Sequence, residues 1–172
     1  MAAVVAAFAA DPAFGYFFPD RDRFVEQAAV FAGYLFDVRL PRGTVWMAGD
    51  GQAVAMWDAP GPAHRPHSGL ALPEDALRRI AAYGAVVHGA MPSTPHWYLS
   101  VLATHPDAAG HRFGHSAMRA GLRAAAADGL PAYLETANPA NVGMYRRAGW
   151  EVTAEVRLPG LPVWLMTYAP GD

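Results

Sequence analysis

The stretch Glu135-Thr136-Ala137-Asn138-Pro139-Ala140-Asn141-Val142-Gly143-Met144-Tyr145 puts a carboxylate, two carboxamides and a phenol into one short run. Asn138 and Asn141 are the only asparagines of the chain. Asn138 precedes Pro139, which suits an N-cap with proline at the first helical position. Tyr145 follows Asn141 by four residues, so both lie on one helix face. Gly149 then closes the helix as its C′ residue. A carboxylate at a strand end can take a proton and a nearby phenol can give one. Read from the residues alone, the same run also describes a capped helix with a core tyrosine.

A second candidate is His105-Pro106-Asp107-Ala108-Ala109-Gly110-His111-Arg112-Phe113-Gly114-His115-Ser116, set between a strand and a helix. Two glycines near a helix start let backbone N–H groups approach an anion, and the helix dipole favours negative charge there. A pyrophosphate suits such a turn, with Arg112, His105, His111 and His115 adding donors around it. An ordinary glycine-containing turn has the same composition. A dinucleotide fingerprint is not present, because its three-glycine spacing and later acidic residue are missing.

Absences narrow the chemistry further. The chain has no Cys, which removes disulfides, thiolate nucleophiles and Cys-ligated zinc. It has no Lys either, all 13 basic residues being Arg, which removes the P-loop lysine and Schiff-base chemistry. Its four serines, Ser68, Ser93, Ser100 and Ser116, lie outside any G-x-S-x-G setting. No metal site is expected. What remains is direct transfer between bound substrates. A net charge of −2 without a basic tract argues against nucleic acid and anionic membrane as partners. No run reaches the roughly 18 apolar residues of a membrane span. The apolar start MAAVVAAFAA lacks a basic flank and reads as a first helix rather than a signal peptide. The Arg and Ala bias suits a bacterial cytoplasmic protein.

These groups need elements to position them, and 172 residues suffice for one domain over 1–172. Helices are expected at 2–10, 21–38, 74–89, 114–127 and 140–148. The second shows Phe24, Ala28, Phe31 and Leu35 at helical spacing, and the third Leu77, Ile80, Ala81 and Gly84. Between the first two, Pro12 ends helix and an aromatic cluster of Phe14, Tyr16, Phe17 and Phe18 follows. Strands are expected at 44–48 and 52–57, joined at Gly49-Asp50-Gly51, then at 97–104, 132–136, 151–157 and 163–168. The Pro-, Gly- and His-rich run 60–73 reads as a loop. The order implies a mixed α/β domain around a central sheet.

Two motifs in this order resemble the GNAT superfamily of acetyltransferases. There a strand ending in V-x-P leads into Q/R-x-x-G-x-G/A and a long helix, followed later by N-x-x-x-Y-x-x-x-G-F. Here the second motif is intact as Asn141, Tyr145, Gly149 and Trp150, and Gly114 fits the last small position of the first. Ala109 stands where Gln or Arg is usual, and Arg112 where Gly is usual. The resemblance implies a GNAT fold: a mostly antiparallel sheet flanked by helices, with two splayed central strands. It implies acetyl-CoA, or another acyl-CoA, on Leu102, Thr104, Ala109, Gly110, His111, Arg112, Phe113, Gly114, His115, Asn138 and Asn141. A backbone N–H near Leu102 would serve the oxyanion. Tyr145 would be the general acid and Glu135 the general base, with His96 as an alternative base.

Residues 130–169 resemble puromycin N-acetyltransferase and related actinobacterial enzymes, which implies a small, often aromatic amine acceptor and a role in antibiotic self-protection or tailoring. Tyr16 and Asp20 are the candidate acceptor contacts, with Trp46, Trp57 and Asp58 on the hairpin as neighbours; clustered aromatics of this kind also serve as core. The family normally begins with a strand, whereas this chain begins with a helix, so the first edge strand is expected to be missing. Pairing of two copies into a homodimer would cover the exposed edge. The substituted Ala109 and Arg112 keep open a GNAT-fold protein with a drifted loop, one that binds a ligand or partner or runs other chemistry.

Overall fold

The computed structural model describes residues 1–61 and 69–169, so most of the expected 60–73 loop lies outside the described residues. The chain opens with α1 (Ala2–Phe8) and a short α2 (Pro12–Phe17). Pro12 begins α2 instead of merely ending α1. The Asp11 carboxylate accepts from the amides of Ala13 at 2.9 Å and Phe14 at 3.1 Å, and proline at the first helical position has no N–H to satisfy. The aromatic cluster therefore rides on a helix. Phe14, Phe17 and Phe18 pack into the core with Phe31 of α3 (Phe24–Asp37). Phe24, Ala28, Phe31 and Leu35 form the buried face of α3, as their spacing requires.

The hairpin of β1 (Val45–Ala48) and β2 (Ala53–Asp58) turns through Gly49, Asp50 and Gly51, all three with positive φ. Helix α4 (Glu74–Ala90) buries Ala76, Ile80, Tyr83 and Val87. Its inward face is thus rotated from the expected one, with Ala81 exposed and Tyr83 inside. Then come β3 (Trp97–Thr104), α5 (Phe113–Ala127), β4 (Ala132–Thr136) and α6 (Pro139–Arg147). A final hairpin of β5 (Glu151–Leu158) and β6 (Leu161–Tyr168) turns at Pro159-Gly160.

The six strands form one sheet in the order β1-β2-β3-β4-β6-β5, antiparallel throughout except for β3 and β4. Among the described residues no strand precedes α1, which leaves β1 at one edge. Each face of the sheet carries its own core. Val54, Met56, Val101 and Ala103 face the first four helices. Ala55, Trp57, Leu99 and Leu134 face α5 and α6. In β2 this is the period-two alternation of a strand buried on both sides, whereas in β3 Leu99 and Val101, two residues apart, face opposite sides because the register slips between them. No helix among the described residues is long and apolar enough to cross a membrane.

The parallel pair sets up the site. β3 pairs with β4 over only three positions, Trp97↔Ala132, Tyr98↔Tyr133 and Leu99↔Leu134. Beyond them the strands part. On the other side β3 stays paired with β2 to Thr104, but its register slips at Met56/Trp57, so that Ser100 has no opposite residue. A bulge of this kind bends a strand and increases its local twist. The bend falls just where β3 leaves β4, and among the described residues no strand lies beside the β4-facing edge from Ser100 onward.

Candidate active site

Two cavities open at the parting of β3 and β4, one of about 880 Å³ and one of about 620 Å³. Phe8, Asp11, Leu102, Asn141 and Tyr145 line both, so the two spaces meet beside the split strands.

The smaller cavity runs along the entry to α5. Thr104, Ala109, Gly110, Arg112, Phe113, Gly114, His115 and Asn138 line it with Leu102 and Asn141. His111 does not; its ring stacks on Phe113 instead, centroids 5.5 Å apart. The loop is tight for identifiable reasons. Gly110 has φ +86°, and Arg112, the N-cap of α5, has φ +60°. A side chain at such φ costs about 1–2 kcal/mol, which explains why glycine suits the position of Arg112. A Cβ on Gly114 would stand 2.5 Å from Oγ1 of Thr104, so α5 approaches β3 only because Gly114 lacks one. The result is a backbone cradle at a helix N-terminus, the arrangement that receives phosphate. The chain's residues fit a CoA-like phosphate group there.

At α6, Asn138 caps the helix, its side-chain oxygen accepting from the Ala140 amide at 3.0 Å. That bond occupies Asn138 structurally, while Asn141 one turn on faces both cavities. Tyr145 is 6% exposed and packs edge-on against Trp150, centroids 6.1 Å apart. Burial, with the nearby Glu135 charge, pushes its phenol well above the ordinary tyrosine value. Tyr145 is therefore a neutral O–H donor at the junction of the cavities.

The larger cavity lies on the α1–α4 side. Phe8, Phe14, Phe17 and Phe31 give it an apolar wall, and Glu135 stands in it. Glu135 is the first residue of β4 past the pairing with β3. Its carboxylate keeps some accessibility because it faces the cavity, while protein surrounds it elsewhere. Burial raises it to about pKa 7, hydrogen bonds from Tyr98, from its own backbone N–H and from Tyr83 pull the other way, and the Asp11 charge adds to the rise. A carboxylate poised near neutrality suits a general base. His96 also lines this cavity, with its Nδ1 2.8 Å from the Thr94 carbonyl and its ring against Tyr133.

The expected acceptor contacts lie elsewhere. Neither Tyr16 nor Asp20 lines either cavity. Tyr16 rests its ring on Phe17, and the Asp20 carboxylate accepts from the Asp22 amide at 3.0 Å. On α2 the cavity face is carried by Phe14 and Phe17, which turns Tyr16 away. Trp57 is fully buried between α5 and Trp150, and Trp46 packs on Trp97. Of the hairpin residues only Asp58 lines the cavity, its Oδ2 accepting from Arg39 Nη2 at 2.6 Å. Arg39, Tyr83, Tyr98 and His88 line it too, and residue types alone give no signal for them.

A comparison with known families decides what this geometry is. The acetyltransferase (GNAT) family model matches residues 12–150, which span both motif segments and the split strands. The chain belongs to the GNAT acetyltransferase family. Solved structures agree at the level of fold. A histone acetyltransferase HPA2 and related acetyltransferase from Corynebacterium glutamicum is 24% identical, with TM-score 0.67 over 99% of this chain and 89% of that one. The Drosophila melanogaster polyamine N-acetyltransferase is 15% identical, with TM-score 0.57 over 80% and 79%. The C-terminal condensation domain of Ebony, solved with β-alanyl-dopamine, is 10% identical, with TM-score 0.64 over 95% and 89%. This GNAT chain is thus an N-acetyltransferase by family, with the splayed parallel pair of the expected fold and six strands.

Proposed function

We propose that this GNAT enzyme moves the acetyl group of acetyl-CoA onto a primary amine of a small aromatic molecule. The observation that carries the reading is the position of Glu135, inside a phenylalanine-walled cavity that meets the smaller cavity at Tyr145, Asn141 and Leu102. An aromatic body suits Phe14, Phe17 and Phe31, and its ammonium suits Glu135 and Asp11. Bound acetyl-CoA supplies the acetyl group as an activated thioester. The cradle of Gly110, Arg112 and Gly114 would hold its phosphates, and Asn141 would contact its arm. Glu135 takes a proton from the ammonium, directly or through a water, leaving the nitrogen lone pair free to attack. The strandless edge of β3 near Leu102 offers a backbone N–H to the carbonyl oxygen. Tyr145 would give its hydroxyl proton to the departing thiolate as the C–S bond breaks.

The likeness of residues 130–169 to puromycin N-acetyltransferase supports self-protection or tailoring of an antibiotic in a bacterial cytoplasm. The unpaired edge at β1 is where a second copy would add. The reading is tested by thiol release from acetyl-CoA with a panel of aromatic primary amines, aliphatic polyamines and N-terminal peptides. Turnover is expected with the aromatic amines. Faster turnover of peptides or polyamines, or none at all by a protein that binds acetyl-CoA, would overturn it.

A further inference from the structure

Glu135 does not stand alone in its cavity. The Tyr98 hydroxyl, from β3, donates a short hydrogen bond to its Oε2. The Tyr83 hydroxyl, from α4, donates to its Oε1 at 3.5 Å. Tyr98 lies in the last stretch where β3 and β4 are paired, and Glu135 is the first residue beyond it. The Tyr98 bond therefore ties the two strands together at their point of separation. Tyr83 reaches the carboxylate because the inward face of α4 centres on Ile80, and its ring is braced edge-on by Phe17 at 5.1 Å.

We propose that Tyr98 and Tyr83 are positioning residues that hold Glu135 as a carboxylate and aim its remaining lone pair at the acceptor. The proposal rests on the reading of Glu135 as the base. A carboxylate placed in an apolar cavity without partners would keep its proton and lose its use as a base. Two O–H donors counter that. The carboxylate also accepts from its own backbone N–H, and of its roughly four lone-pair sites three are thus taken, leaving one for the incoming proton. In the transfer one N–H bond of the ammonium breaks, an O–H bond forms on Glu135, and the electron pair stays on nitrogen. Both phenols are held above the ordinary tyrosine value by burial and then by the Glu135 charge, so they remain donors at neutral pH. The other groups facing this cluster are Asp11 at the start of α2, Tyr145 on α6, Asp58 across from Tyr98, and His88, whose ring centroid lies 6.4 Å from that of Tyr98.

The chain has only five glutamates, so a carboxyl-13C-glutamate sample gives five resonances to titrate without any ligand, and Glu135→Gln assigns the relevant one. The wild-type midpoint is expected near 7. Tyr98→Phe keeps the ring and removes the donor, and should move that midpoint up by about one unit, the scale of a lost charge-assisted bond. Tyr83→Phe, losing a longer bond, should move it less, and the double variant more than either. A His88→Gln control separates imidazole titration from the carboxylate. A midpoint that stays put, or falls, in Tyr98→Phe overturns the proposal. Failure of the base reading shows differently: Glu135→Gln would then acetylate the amine panel at full rate while the Tyr98→Phe shift persists.

Discussion

The two cavities are built in opposite ways. The smaller is made of three short continuous segments, 7–11, 102–118 and 138–148, and its floor along the last two is held by glycines and helix caps. The larger draws side chains from α2, α3, β2, α4, β3 and β4, brought together only by tertiary packing. One is a local device and the other a product of the whole fold. A cofactor shared by a whole family needs the same local cradle each time. An acceptor that differs between members calls for side chains that can change singly.

If that division of labour holds, a change on the acceptor side should spare cofactor binding. Glu135→Gln removes the proposed base and keeps the side chain's size. It should lower kcat by about 10²–10⁴-fold, the usual scale for general base catalysis, while the acetyl-CoA dissociation constant measured by calorimetry stays within about twofold. A large loss of acetyl-CoA affinity would break the comparison. The same variant reports on stability. Because the folded pKa of Glu135 is raised from 4.5 to about 7, the native state holds the extra proton in that window. The group's contribution to stability is therefore full below about 4.5 and is lost as pH rises through about 7. Glu135→Gln should flatten that part of a Tm-against-pH curve.

The contrast also explains which parts of the molecule are legible in the amino-acid sequence. Strands at 97–104 and 132–136 are where the sequence puts them, because alternating apolar residues bounded by turns leave little choice of register. The helix at 139–147 follows from Asn138-Pro139 and Gly149. The cradle residues are legible for the same local reason. The wall of the larger cavity is not. Nearness to aromatics and a proline singles out Tyr16 and Asp20, but a six-residue helix points Phe14 and Phe17 inward in place of Tyr16. Pro12 is a stop signal and a start signal at once, and the Asp11 cap decides for the start. Tyr83 is hidden by a helix face that reads equally well one position away. Tyr98 sits inside a well-placed strand, but no pattern along the chain says that its hydroxyl meets Glu135, 37 residues on.

A change confined to the cradle should do the reverse of Glu135→Gln. Gly114→Ala sets a methyl 2.5 Å from Thr104 Oγ1, closer than carbon and oxygen can pack, so α5 or the Thr104 side chain must shift by several tenths of an ångström. A shift there would misalign the amides proposed to face phosphate. Acetyl-CoA affinity should fall by about tenfold or more, since each lost charge-assisted bond is worth on the order of 1.5 kcal/mol. Acceptor selectivity, read as the ratio of kcat/KM between two amines at saturating acetyl-CoA, should not move. A changed ratio would mean that the cavities are mechanically coupled across the split.

Arg112 gives the smallest effect and the sharpest distinction, because backbone and side chain pull in opposite directions at one residue. Its backbone is left-handed at φ +60°, which costs a residue with a Cβ about 1–2 kcal/mol. Arg112→Gly removes that strain but frees the unfolded chain, offsetting about 0.4–1 kcal/mol. The net gain lies between about zero and 1.6 kcal/mol, at about 2–4 °C in Tm per kcal/mol for a chain of this size. If the backbone cradle alone binds phosphate, acetyl-CoA should bind Arg112→Gly at least as tightly as wild type. If the guanidinium has taken over part of the task, affinity should fall while Tm rises, and the loss should shrink at high salt as the charge is screened. Arg112→Ala separates the two contributions. It keeps the strained backbone and loses the charge, so it should match wild type in Tm, and its affinity should fall below wild type, as that of Arg112→Gly would, only if the side chain is what contacts phosphate.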